Sequence, residues 1–268
     1  MTRALTAEVR RLLTVRSTGI FAALLIGCCV GPIVLMGIVY DPAYRGPIDA
    51  GDLGKCVSIF HVLAIVFAGT HTATEINAGS TALSFLTQKS RWASLVAQAA
   101  VQWAFLAFAY VVGIGLALVA ARFYPDGLAM SPRGWAYLAA YLLVVLLWAA
   151  MATALAVLTR SVAVSVAAPI TWMLLIEQLA SMVPMLEAIT PWLPFNASHM
   201  LLAQALGEAP AGMSVWPPAV ALLVPALGLA GAGAVVVERD EQADSHERAD
   251  GDEADGGAER PVDRAGAG

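Results

Sequence analysis

Gly19 to Tyr40 reads GIFAALLIGCCVGPIVLMGIVY. It holds no Asp, Glu, Lys or Arg. About 20 mainly apolar residues in a helix cross roughly 30 Å of hydrocarbon, so this stretch alone predicts a transmembrane span. Arg3, Arg10, Arg11 and Arg16 precede it, as basic residues precede the apolar run of a secretory signal. That run would be only about 7–15 residues and would end at a small-residue cleavage site. This one is longer and has no A-x-A ending, so it reads as a retained anchor.

Working outward, five more stretches qualify: Cys56–Thr74, Ser94–Ala121, Trp135–Leu158, Val162–Met185 and Trp216–Val237. The second is diluted by His61, Thr70, His71, Thr72 and Thr74, and the fifth carries Pro169 and Glu177. Composition agrees. Of 268 residues, 59% are hydrophobic and 13% charged, and mean hydropathy is +0.73. Soluble domains carry about 25% charged residues. The net charge of −5 is an average over two unlike regions. Eleven of the 20 acidic residues lie from Glu238 onward beside four arginines, leaving that tail at −7 and the rest at +2.

Orientation follows from Lys and Arg near the spans. Nine (Arg3, Arg10, Arg11, Arg16, Lys89, Arg91, Arg160, Arg239, Arg248) fall on the amino-terminal side and four (Arg45, Lys55, Arg122, Arg133) on the other. The expectation is an all-α integral membrane protein of the plasma membrane with six spans and both termini cytoplasmic. Residues 1–18 form a cytoplasmic amphipathic interfacial helix, 19–237 the membrane domain, and 238–268 a disordered acidic tail. On the first of these, Leu5, Val9, Leu12 and Leu13 share a helical face, Arg10 lies off it and Arg11 opposite. The external connectors Asp41–Lys55, Arg122–Gly134 and Leu186–Val215 leave no room for a large outer domain.

Two places carry chemistry. The inner loop from Thr74 to Arg91 sets Leu83, Phe85 and Leu86 among polar residues, which suggests that they pack on a membrane surface or a partner. Ser80 or Thr81 can cap a short helix there, with Gly79 supplying the turn. Glu177 is an intramembrane carboxylate, which is costly and points to a transport path, to pairing with a polar group of another span, or to a structural role near a helix end. His61 and His71 stand ten positions apart on different faces, and Cys28, Cys29 and Cys56 lack metal spacing, so no metal or other cofactor is expected. Gly54-Lys55-Cys56 is the nearest string to a phosphate-binding loop, but Asp49 stands where its first Gly is required. Without a catalytic cluster the chain reads as no enzyme, and no nucleic-acid partner is expected.

Ala7–Thr18 (AEVRRLLTVRST), then Glu75 followed by Gly79-Ser80-Thr81 and Lys89-Ser90-Arg91, then Trp192–Ala197 (WLPFNA), resemble in order the motifs of type-2 ABC transporter permeases, actinobacterial ones especially. The resemblance covers the chain to about Arg239. One departure is Gln88-Lys89-Ser90-Arg91, where many members carry a Pro-Arg turn. The resemblance implies an exporter half: paired permease chains, identical or not, in the bilayer, with two copies of a separate ATPase subunit on the cytoplasmic side. It assigns the coupling to Glu75, Gly79, Ser80, Thr81, Leu83, Phe85, Leu86, Lys89 and Arg91, together with the interfacial helix bearing Arg10, Arg11 and Arg16. The alternative is a non-transport membrane protein acting as an assembly or immunity factor.

Overall fold

The computed structural model describes the backbone of residues 2–14, 16–39, 46–78, 91–209 and 214–256. Among these, six helices are long and apolar enough to cross a membrane: Ser17–Ile38, Ala50–Asn77, Val96–Ala121, Pro132–Thr159, Val162–Ser181 and Trp216–Arg239. All six expected spans are present, and the second is longer than hydropathy alone suggests. The chain is a multi-pass helical membrane protein.

Helix α1 (Thr2–Thr14) precedes α2 (Arg16–Ile38). Helix α3 (Ala50–Asn77) opens on a reciprocal cap. The Asp52 main-chain N–H donates to Asp49 Oδ1 at 3.0 Å, and the Asp49 N–H to Asp52 Oδ2 at 3.4 Å. Helix α4 (Arg91–Ala121) returns across the bundle. Helix α5 (Pro132–Thr159) starts where Pro132 has no N–H to lose and Ser131 Oγ accepts from Gly134 N at 3.1 Å. It ends at Arg160, in the left-handed region at φ 51°, and Ser161 at once caps α6 (Val162–Thr171). The two-residue turn makes α5 and α6 antiparallel neighbours.

The fifth span is not one uniform helix. After α6 the chain makes a π-helical turn, Trp172–Ile176, then α7 (Glu177–Ser181). Pro169 removes one donor from the ladder just before it. The connector beyond holds two short 3₁₀ turns and α8 (Pro194–Leu206), a helix where the sequence predicts only an external connector. Helix α9 (Trp216–Gly256) carries the sixth span and runs on. The tail expected to be disordered from 238 therefore has helical backbone as far as Gly256. Its Ala, Glu and Arg residues are good helix formers. The preceding span supplies the nucleus, so the helix only has to propagate.

The bundle is organised around α3. In its most apolar stretch 61% of residues are buried within the protein, against 17% in α2. Of the polar residues that dilute the second span, His61 and Thr72 are buried in protein, Thr70 and His71 are half-buried and Thr74 is exposed; Glu75, just beyond them, is buried too. Helix α3 packs on α5 most of all, and on α2 and α6. Phe60, Phe67, Ile65 and Leu53 from α3 meet Leu25 and Ile33 of α2 and Leu106 of α4 in the core. Buried Gln102 of α4 donates to the Ala68 carbonyl at 3.1 Å and accepts from Thr153 Oγ1 at 3.2 Å, tying α3, α4 and α5 across the apolar interior. At the end opposite α1, Ile48 pairs with Leu128 as an isolated bridge between two connectors. Tyr124 donates from its hydroxyl to the Ile33 carbonyl nearby.

Candidate functional site

The amino-terminal end of the bundle is built from α1, the start of α2 and the end of α3. Glu75 stands in the last turn of α3, one helical turn after His71, so their side chains share a face. Arg11 of α1 reaches across, its Nη2 3.2 Å from Glu75 Oε1, while its Nη1 lies 3.8 Å from Glu8 on its own helix. His71 Nε2 is 3.6 Å from the same Glu75 oxygen. One guanidinium therefore stands between two carboxylates, with an imidazole behind. Burial pushes the Glu8 carboxyl above its usual range, against the pull of Arg11.

These groups open on a cavity of about 350 Å³. Arg11, His71 and Glu75 line it together with Phe21, Phe67 and Thr70. Phe67 is the pivot of its apolar side, with ring centroids 5.2 Å from Phe21, 4.9 Å from Phe105 and 5.4 Å from His71. Polar groups at the mouth and aromatic rings behind make an amphipathic recess at one membrane surface. The arrangement offers charge and shape but, among the described residues, no group of three or more His, Cys, Asp or Glu that could hold a metal.

The structure thus brings together two segments far apart in sequence, the amino-terminal helix and the base of the inner loop. Arg10 is exposed on α1. Leu12 of its apolar face is buried, while Val9 is 43% exposed. Arg16 and Arg91 begin α2 and α4; their side chains lie outside the described residues. So do Gly79, Ser80, Thr81, Leu83, Phe85, Leu86 and Lys89. His71 and Glu8 went unrecognised in the sequence as members of this cluster. Their signals were the i,i+4 spacing of His71 from Glu75 and the i,i+3 spacing of Glu8 from Arg11.

Glu177 lies apart from this cavity, near the opposite end, and is fully buried. Its Oε1 accepts from Trp172 Nε1 at 2.7 Å and from the Phe195 main-chain N–H at 2.8 Å. Its Oε2 accepts from the Asn196 main-chain N–H at 2.8 Å and from Asn196 Nδ2 at 3.1 Å. Helix α8 begins after Leu193, which has no side-chain oxygen to cap it. Glu177 supplies the cap from another element, and its charge sits where the helix dipole favours an anion. Its partners are Trp172 of its own span and Phe195 and Asn196 of the connector helix, none of them on another span.

No protein-family model matches the chain, and no curated protein or solved structure matches it either.

Proposed function

We propose that this chain is the membrane-spanning permease subunit of an ATP-binding-cassette exporter. It works in the plasma membrane as one of a pair of permease chains, driven by two copies of a separate ATPase docked on the cytoplasmic face. The observation that carries this reading is the 3.2 Å contact between Arg11 and Glu75. A permease without its own ATPase must receive motion from outside the membrane. Here the base of the inner loop, where a partner would push, is bonded to the amino-terminal helix, so displacement of either is felt by the other and by α3. Because α3 is the helix most enclosed by the others, a shift at Glu75 is passed to the whole bundle through packed side chains that do not compress. The exposed Val9 and Arg10 of α1 suit a helix lying in the headgroup layer. The Lys and Arg bias puts this end in the cytoplasm.

The first test is whether a neighbouring reading frame encodes a P-loop ATPase; if one does, the two are co-expressed. The ATPase should co-purify and hydrolyse ATP faster in the complex. Phe85→Ala and Leu86→Ala should insert normally yet retain less ATPase and transport poorly. Undiminished ATPase binding and transport in both would remove the inner loop from the coupling role. Orientation is checked separately: cysteines placed at Ser90 and Asp126 should label from opposite sides of the membrane, and labelling from one side would overturn the six-span topology.

A further inference from the structure

The recess at the amino-terminal end has a chemistry of its own, independent of any ATPase. Its inner wall is Phe21 and Phe67, and its mouth carries Arg11 and Glu75 side by side. Ser17 and Phe21, which line it, belong to α2, the span least buried within the protein. A ligand there meets apolar rings and both signs of charge at once.

We infer that this cavity holds the headgroup and first acyl segment of a phospholipid with a primary ammonium, of the phosphatidylethanolamine class, from the leaflet on the amino-terminal side. Charge selects it. A net anion would add negative charge beside Glu75 and Glu8, two carboxylates that already share the single Arg11 guanidinium. A fully neutral amphiphile would leave the ionic groups without new partners. A zwitterion keeps the local charge unchanged while placing its ammonium toward Glu75 and its phosphate toward Arg11, both as charge-assisted hydrogen bonds. His71, which lines the same cavity, has a buried Nδ1 with no hydrogen-bond partner in the structure. An ammonium N–H can donate to that nitrogen, whereas the methylated ammonium of a choline headgroup has no N–H to give. The aromatic wall continues the hydrocarbon layer into the recess, so the acyl chain need not leave an apolar environment.

The experiment uses the full chain in detergent, without an ATPase, so its outcome is separate from that of the transport reading. Native mass spectrometry would follow retention of phosphatidylethanolamine, phosphatidylcholine and phosphatidylglycerol with identical acyl chains. Ethanolamine lipid should be retained at least about 5-fold over the other two, a difference of roughly 1 kcal/mol. Thr70→Leu fills the cavity while leaving Arg11 and Glu75 in place, and should abolish the preference. Thr74→Leu is the second filling variant should the first fail to fold. Phe108→Leu, on a side chain 67% exposed and outside the cavity lining, should leave it intact. Equal retention of the three lipids, or an unchanged preference in the filled variants, would reduce the binding to an unselective lipid shell and overturn the inference. Displacement of the lipid by soluble phosphoethanolamine would overturn it too, by assigning the site to a water-soluble zwitterion.

Discussion

The two ends of this bundle each bury a carboxylate, and they do so in opposite ways. Glu177 is enclosed and satisfied by four neutral N–H donors between 2.7 and 3.1 Å. Glu75 is held by a cation at 3.2 Å and a histidine at 3.6 Å, beside a cavity. A carboxylate saturated by fixed dipoles has nowhere to go, and its bonds close α8 onto the fifth span. A carboxylate that shares one guanidinium with a second acid, on the rim of a recess, can exchange partners at small cost. The comparison teaches that membrane depth alone does not tell how a carboxylate is held. Glu177 is the deeper signal in the sequence, yet its geometry is that of a fastener, and the adjustable contact lies at the surface end.

The largest expected effect tests the fastener. Glu177→Ala strands the Trp172 indole and three donors at the start of α8, and should cost roughly 3 kcal/mol or more. It would be read as a large fall in detergent melting temperature with protease sensitivity between α7 and α8. Glu177→Gln keeps the shape but turns an NH2 toward two donors, and should fall between. If Glu177→Gln instead melts like the parent and loses transport, Glu177 belongs to the transport path and the contrast between the ends collapses.

Next comes the helix crossing that links the ends. A Cβ at Gly69 of α3 would stand 3.0 Å from the main-chain oxygen of Ser165 on α6. Backbone cannot rotate aside, so Gly69→Ala should cost about 1–3 kcal/mol, measured as a lowered melting temperature. A Cβ at Gly54 would come within 3 Å of the buried Tyr137 ring, so Gly54→Ala should cost at least as much unless the ring swings aside. A Gly69→Ala variant that melts like the parent would mean that α3 and α6 can separate without penalty.

Arg11→Gln should alter stability less, by about 1 kcal/mol or under, because Arg11 is one-third exposed and its attraction is screened. Under the proposed function its main effect should be lost ATPase coupling, and exchanging the charges in Arg11→Glu with Glu75→Arg should restore part of it. A melting loss as large as that of Glu177→Ala would make the amino-terminal pair a second fastener. The smallest effect is expected from truncation after Arg239, which should leave membrane levels nearly unchanged. A marked loss of folded protein would give the helical extension to Gly256 a structural role.

Much of the fold was legible because hydrocarbon imposes a strict rule: an unbroken apolar run of sufficient length has to be helical, since no water is present to satisfy its backbone. Gly19–Tyr40 obeys that rule without help from any neighbour. Cys56–Thr74 was the least convincing span for a reason visible only after packing. His61 packs against Tyr141 and Trp148 of α5, and Glu75 is met by Arg11 of α1, so hydropathy understates a helix that is largely enclosed by protein. Helix α8 was missed because Leu193 offers no capping signal and its cap, Glu177, comes from outside the local window.

The sequence by itself determined the number of spans, the termini of most of them, the amino-terminal helix and the two carboxylates worth attention. Those properties depend on local composition and on transfer between water and hydrocarbon, which act residue by residue. Only the tertiary structure decided which helix is central, that Arg11 meets Glu75 beside His71, and that Glu177 fastens α8. Those are contacts between segments 18 to more than 60 positions apart, and the choice among possible partners is made by how the helices pack together, which no single segment encodes.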